Sequence, residues 1–171
     1  IEAWGTSFNY GIYLGYVNAP TTARAKVQNN MIALNTTSTT GTLYGIYPYH
    51  CANVDMFHNS VAANGGSLTN SRLIYMNAST SSSYFTPGGN SLKNNIVANL
   101  NGGRCVVGQS ATTGSTTYCE TGTNLFYTTN TTPHSNFTPG STDLTGDPMY
   151  VNPLTDLHAQ AQVADNAGAP L

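Results

Sequence analysis

Charge is nearly missing from this chain. Its 171 residues hold five Lys or Arg and seven Asp or Glu, so 7% are charged, where an average globular chain has roughly 25%. The cations, Arg24, Lys26, Arg72, Lys93 and Arg104, are scattered, and the formal net charge is −2. Phosphate backbones are held by clustered Lys and Arg, so the composition argues against nucleic acid and anionic membrane surfaces as partners. No run approaches the roughly 18 consecutive apolar residues of a membrane span. Helical spacing is also missing: apolar residues nowhere keep i, i+3, i+4, i+7 over a helix-length window, and abundant Thr, Asn and Gly disfavour helix. Disorder does not follow, because 39% of residues are apolar and eleven are Tyr, enough to pack one domain.

Cysteine is scarce too. Cys51, Cys105 and Cys119 allow one disulfide with a thiol left over. Cys105 and Cys119 flank a Gly/Ser/Thr-rich stretch and are the natural pair, with Cys51 as a small core residue; three buried thiols is the alternative. A bridge would place the protein outside the reducing cytosol.

What the sequence does have is repetition. Val27-Gln28-Asn29-Asn30-Met31-Ile32-Ala33 returns as Val54-Asp55-Met56-Phe57-His58-Asn59-Ser60-Val61-Ala62 and Leu92-Lys93-Asn94-Asn95-Ile96-Val97-Ala98, with a worn copy at Thr123-Asn124-Leu125. Its marker residues Asn30, Asn59, Asn95 and Asn124 stand 29, 36 and 29 residues apart, a period that means stacked repeats. A second phrase interleaves with it: Tyr10-Gly11-Ile12-Tyr13, Tyr44-Gly45-Ile46-Tyr47, Leu73-Ile74-Tyr75 and Cys105-Val106-Val107. Both are short, β-branched or aromatic, and bounded by Gly, Asn, Ser and Thr, as strands are.

These spacings predict an all-β fold, a right-handed parallel β-helix (β-solenoid) of about four coils. Loop insertions are expected at Thr36 to Thr42, Asn77 to Asn90 and Gly108 to Thr121. Residues 1–127 form the coils, and 128–171 a loop-rich terminal coil of the same domain with short strands at Met149 to Val151 and around Leu157. Val27, Met31 or Ile32, Val54, Phe57, Val61, Leu92, Ile96 and Val97 are the candidate inward row. The recurring Asn tolerates left-handed backbone and can bond an identical Asn one repeat away, so Asn30, Asn59, Asn95 and Asn124 are read as a structural ladder. His58 takes the place of a first Asn and reads as a substitute in that ladder. Solenoids need capped ends; Ile1-Glu2-Ala3-Trp4 and Ala169-Pro170-Leu171 show no polar cap. The expected partners are therefore adjoining segments of a longer chain or copies of itself.

The interleaving of YGIY, xNNxIxxN, LxYxN and a closing DPxYVNPxTDLH (Asp147 to His158) resembles the β-helix repeats of large secreted surface proteins and adhesins of Bacteroidota-type bacteria, cargo of the type IX system. The resemblance spans Tyr10 to about Gly168, and Ala164-Asp165-Asn166-Ala167-Gly168 is similar to the small-residue phrase that ends such repeats. It implies this fold and an extracellular, cell-surface location.

Candidate chemistry is thin. A glycosidase needs two carboxylates roughly 5 to 9.5 Å apart. Asp55 stands where neighbouring repeats have Gln28 and Lys93, and Asp55 with Lys93 reads as a salt bridge. Asp143, Asp147 and Asp156 with Asn152 could offer oxygens to calcium, but lack the tight spacing of a calcium loop, and the Asp-Pro and Asn-Pro pairs are turn formers. No catalytic residue, metal or cofactor is assigned. Tyr10, Tyr13, Tyr16, Tyr44, Tyr47, Tyr49 and Tyr75 would form an aromatic stripe if alternate residues face outward, and Tyr13, Tyr47 and Tyr75 are its candidate binding face, with surface glycans as a partner. The expected function is a non-catalytic structural and adhesive segment. The alternative is a carbohydrate-binding or carbohydrate-cleaving β-helix, which a clustering of Asp55, Lys93 and a loop acid in one groove would favour.

Overall fold

A computed structural model describes residues 1–4, 8–78, 84–130 and 132–164. Among these residues the chain is all β, with no helix. Ala164 apart, the small-residue phrase that follows His158 lies outside the described residues, as does Asp165.

Three parallel sheets share the strands. The first contains β1 (Glu2–Trp4), β4 (Met31–Asn35), β7 (Ser60–Asn64), β10 (Ile96–Asn99), β13 (Leu125–Thr128) and β15 (Leu144–Thr145). The second contains β2 (Phe8–Gly15), β5 (Thr42–Tyr49), β8 (Arg72–Met76), β11 (Arg104–Gly108) and β14 (His134–Ser135). The third contains β3 (Ala25–Gln28), β6 (Val54–Phe57), β9 (Asn90–Lys93) and β12 (Cys119–Gly122). Up to β13 the chain visits the sheets in strict rotation, each visit adding one strand beside the last. Parallel neighbours need long crossovers, and here each crossover consists of the strands contributed to the other two sheets.

Inward residues repeat in register. Ile32, Val61, Val97 and Phe126 align across the first sheet, Ile12, Ile46, Ile74 and Val106 across the second, and Val27, Met56 and Leu92 across the third. They pack into one apolar cluster between the sheets, each fully buried side chain contributing about 1.5–3 kcal/mol. Met31 is 40% exposed, and Phe57 and Ile96 are only partly buried, so these three leave the expected inward row. The residue after each ladder Asn begins a strand pointing outward, and period-2 alternation sends the next one in.

The chain turns into β4, β7, β10 and β13 through a left-handed residue: Asn29 (φ 58°), His58 (φ 54°), Asn94 (φ 57°) and Thr123 (φ 56°). His58 is thus a corner residue with an exposed side chain, and the ladder belongs to its neighbour. Asn fits such a corner readily; a β-branched Thr does not.

The last segment departs from rotation. β16 (Tyr150–Asn152) and β17 (Asp156–Ala159) form an antiparallel hairpin. Leu157 and Tyr150 lie against Ala33 and Ala62 on the outer face of the first sheet, and Asn35 Nδ2 donates to Leu154 O at 3.4 Å. Small alanines leave a flat track there, and the hairpin covers it.

Candidate functional site: a tyrosine face and a charged groove

The asparagine ladder is continuous. Asn30 Nδ2 donates to Asn59 Oδ1, Asn59 Nδ2 to Asn95 Oδ1 and Asn95 Nδ2 to Asn124 Oδ1, each at 2.9 Å. Each acceptor oxygen also takes the backbone N–H of the preceding Asn. Asn59, Asn95 and Asn124 are fully buried. The ladder ends on Asp143, whose Oδ1 accepts from the N–H and Nδ2 of Asn124 and whose Oδ2 accepts from Thr121 Oγ1 and Gly140 N, all within 2.7–2.9 Å. An acceptor-only carboxylate suits the last rung of a ladder of donors. Sequence reading set Asp143 among metal candidates because it lies near Asp147, Asn152 and Asp156 in the chain, and missed its ladder role because its offset of 19 residues from Asn124 breaks the period. Asp147 instead accepts from the Met149 N–H and Asp156 pairs with His158. Among the described residues no three acidic, Cys or His side chains gather as metal ligands would.

The second sheet turns its tyrosines outward. Tyr10 aligns with Tyr44, and Tyr13 with Tyr47, although positions 10 and 13 would alternate in an unbroken strand. Alternation breaks where Gly45 and Ile46 both turn inward. A Cβ on Gly45 would lie 2.6 Å from Leu73 O and 2.3 Å from Val61 Cγ1, so only glycine lets the strand approach the core here. Tyr10 stacks on Tyr44 (5.1 Å between centroids, 18°) and Tyr44 on Tyr75 (5.6 Å, 19°). Tyr13 stands across this stack, edge-on to Tyr10 at 77° and to Tyr47 at 79°. Tyr10, Tyr13, Tyr47 and Tyr49 line an open depression of about 600 Å³. Tyr10, Tyr13 and Tyr16 are exposed, Tyr44, Tyr47 and Tyr49 half-buried, and Tyr75 is buried at 9%.

Burial pushes the Tyr47 hydroxyl up to about 12, against the opposing effect of its 2.7 Å bond from Asn77 Nδ2. Tyr44 is raised by burial and partly relieved by Arg72, and Tyr13 is raised by burial and by Tyr49. The three hydroxyls stay neutral at physiological pH, offering both a donor and an acceptor.

One tyrosine row, that of Tyr10 and Tyr44, continues into arginine. Tyr44 aligns with Arg72, and Arg72 with Arg104. The guanidinium of Arg72 sits 4.4 Å from the Tyr75 ring centroid, a cation–π contact. Sequence reading overlooked this pair; the signal was that both arginines occupy the first tyrosine position of the YGIY phrase.

On the third sheet the outward rows are Lys26, Asp55, Ser91, Glu120 and Gln28, Phe57, Lys93, Gly122. Register therefore sets Asp55 beside Ser91, and Lys93 beside Phe57. The expected Asp55–Lys93 bridge is corrected: Asp55 takes Arg24 (2.5 Å) and Lys93 takes Glu120 (2.8 Å). Matching the phrases from their first apolar residue misplaces them by two positions, because the ladder Asn at the far end sets the register. Asp55, Lys93 and Glu120 nonetheless line one groove of about 300 Å³, with Arg24. Each carboxylate there already has a cationic partner.

The expected Cys105–Cys119 disulfide is likewise corrected. All three cysteines are free and buried. Cys105 Sγ donates to Tyr127 O (3.0 Å) and Val97 O (3.4 Å), and Cys51 Sγ to Leu14 O (3.3 Å). Cys105 lies in the second sheet and Cys119 in the third, and both turn into the core. Burial pushes the Cys105 thiol up to about 12, which keeps it unreactive.

No family model, curated protein or solved structure matches this chain. No helix among the described residues is long and apolar enough to cross a membrane.

Proposed function

We propose that this chain is a non-catalytic structural and adhesive segment of an extracellular surface protein or filament, built as a right-handed parallel β-helix of about four coils. The rotation of the chain through three parallel sheets supports the closed winding, and the strong right-handed preference of parallel crossovers supports its hand. The observation that carries the functional reading is the buried asparagine ladder running from Asn30 to Asp143. It ties layer to layer with hydrogen bonds, the Asn59–Asn95 and Asn95–Asn124 rungs buried from water, which makes a stiff spacer. The extracellular location rests on the resemblance of the repeat phrases to secreted bacterial β-helices. Edge strands β1, β2 and β3 lie together at one end of the stack, where adjoining segments of a longer chain or further copies would add strands.

The tyrosine depression and the groove of Asp55, Lys93 and Glu120 favour a second reading, that the surface binds glycans. Cleavage would require one of those carboxylates to leave its cationic partner.

Electron microscopy of the native material, with intact mass measured on the same sample, tests the first reading. Long fibres, or one giant polypeptide repeating this unit, are the expected result. Monodisperse particles of 18.0 kDa would overturn it and put the glycan reading ahead.

A further inference from the structure

Arg72 and Arg104 stand directly opposite one another on adjacent parallel strands, about 4.8 Å apart along the sheet. Like charges in that relation destabilise a sheet, and a chain with five cations and a net charge of −2 has few to set side by side. Neither arginine forms an ion pair among the described residues, where the salt bridges are Arg24–Asp55, Lys93–Glu120 and His158–Asp156. Strands β2, β5, β8, β11 and β14 contain no acidic residue. Described acids lie elsewhere: Glu2 on β1 of the first sheet, Asp55 and Glu120 on the third sheet, Asp143 in the ladder, and Asp147 and Asp156 near the terminal hairpin.

Both guanidiniums are nevertheless held in place. Arg72 lies over the Tyr75 ring, and Arg104 Nη1 donates to Thr132 O. A planar guanidinium fork matches a carboxylate or sulfate with two parallel hydrogen bonds. The same row carries Tyr10 and Tyr44, and beside it stand Tyr13 and Tyr47, whose rings and hydroxyls suit the apolar and hydroxylated edges of a sugar.

Resting on the reading that this surface binds glycans, we infer that the tyrosine face takes an anionic glycan, a linear polysaccharide bearing carboxylate or sulfate groups. Sugar rings lie along the tyrosine rows, and Arg72 with Arg104 receives the acidic groups. Two cations are too few for a nucleic-acid track, whose affinity comes from many neutralised phosphates.

Titration calorimetry on the full chain tests this with four polymers: polygalacturonate, dextran sulfate, uncharged dextran and polyglutamate, a polyanion without sugar. At least one acidic polysaccharide is expected to bind about tenfold or more tighter than dextran and polyglutamate, a difference of roughly 1.4 kcal/mol or more. Its binding should weaken with added salt, and Arg72→Gln should lose about tenfold of it while melting like the parent. Arg104→Gln is the second variant and should act in the same direction. If dextran binds as tightly as the acidic polymers and Arg72→Gln changes nothing, the anionic specificity is wrong and the glycan reading survives. If polyglutamate binds as well as the acidic polysaccharides, or if no polysaccharide binds the folded protein, both are wrong.

Discussion

The asparagine corner and the tyrosine face cross the same successive layers, yet they are finished differently. Along the corner nearly every polar group has a partner, and the row closes on an acceptor, Asp143. The face has aromatic contacts among its own members, but it ends in two arginines that have no carboxylate partner among the described residues. A saturated network holds a fold together and has nothing left to offer a partner. An unsaturated one at the surface is where the proposed glycan would sit.

Breaking the corner should have the largest effect. Asn95→Ala removes the acceptor of Asn59 N–H and Nδ2 and the donor to Asn124 Oδ1 and Met56 O. Stranding buried groups of this kind costs about 1–3 kcal/mol each, and we expect a total loss near 4 kcal/mol in urea unfolding. Asp143→Asn places an amide N–H where a donor already points, costing about 2 kcal/mol by the same measurement.

His134, on β14 beside the inward Val106, packs edge-on against Phe126 at 4.7 Å. Its Nδ1 is buried without a hydrogen-bond partner among the described residues. Burial holds the imidazole down at about 4, against an ordinary 6.5. The unfolded chain therefore takes up this proton first, so stability should fall as pH drops from 6.5 toward 4 and be unaffected above that window. Allowing for partial exposure, the loss is about 2 kcal/mol. His134→Phe should flatten this part of the pH profile in thermal melts.

Thr123 is the strained copy of the corner, a β-branched residue at φ 56° where Asn29 and Asn94 stand in other layers. Thr123→Asn should raise stability by about 1 kcal/mol. Tyr13→Ser, on the exposed face, should change stability least, by under about 0.5 kcal/mol. A large loss there would show that the tyrosines hold the fold and would erase the contrast with the corner.

Much of this was legible in the chain. The recurrence of Asn30, Asn59, Asn95 and Asn124 marks one position in every layer, because only a small amide can bond both a neighbouring backbone and its own copy. Ile12, Ile46 and Ile74 announce an inward row because strands separated by similar lengths must pair in register. The register within the third sheet was not legible: a shift of two residues keeps the same side chains inward, so Asp55 could be set against Lys93 or against Ser91 with equal apolar pattern. Asp143 was hidden for a different reason, since a cap ends the repeat and so does not share its period.

The sequence by itself determined that the chain repeats, that its elements are strands, and which few residue types recur at each layer, since composition and spacing act locally along the chain. Only the tertiary structure decided which cation meets which carboxylate, that the cysteines stay apart, that the terminal hairpin covers the alanine track, and that Arg72 and Arg104 end side by side. Those outcomes depend on distances between residues about thirty positions apart, which stacking sets and no local pattern encodes.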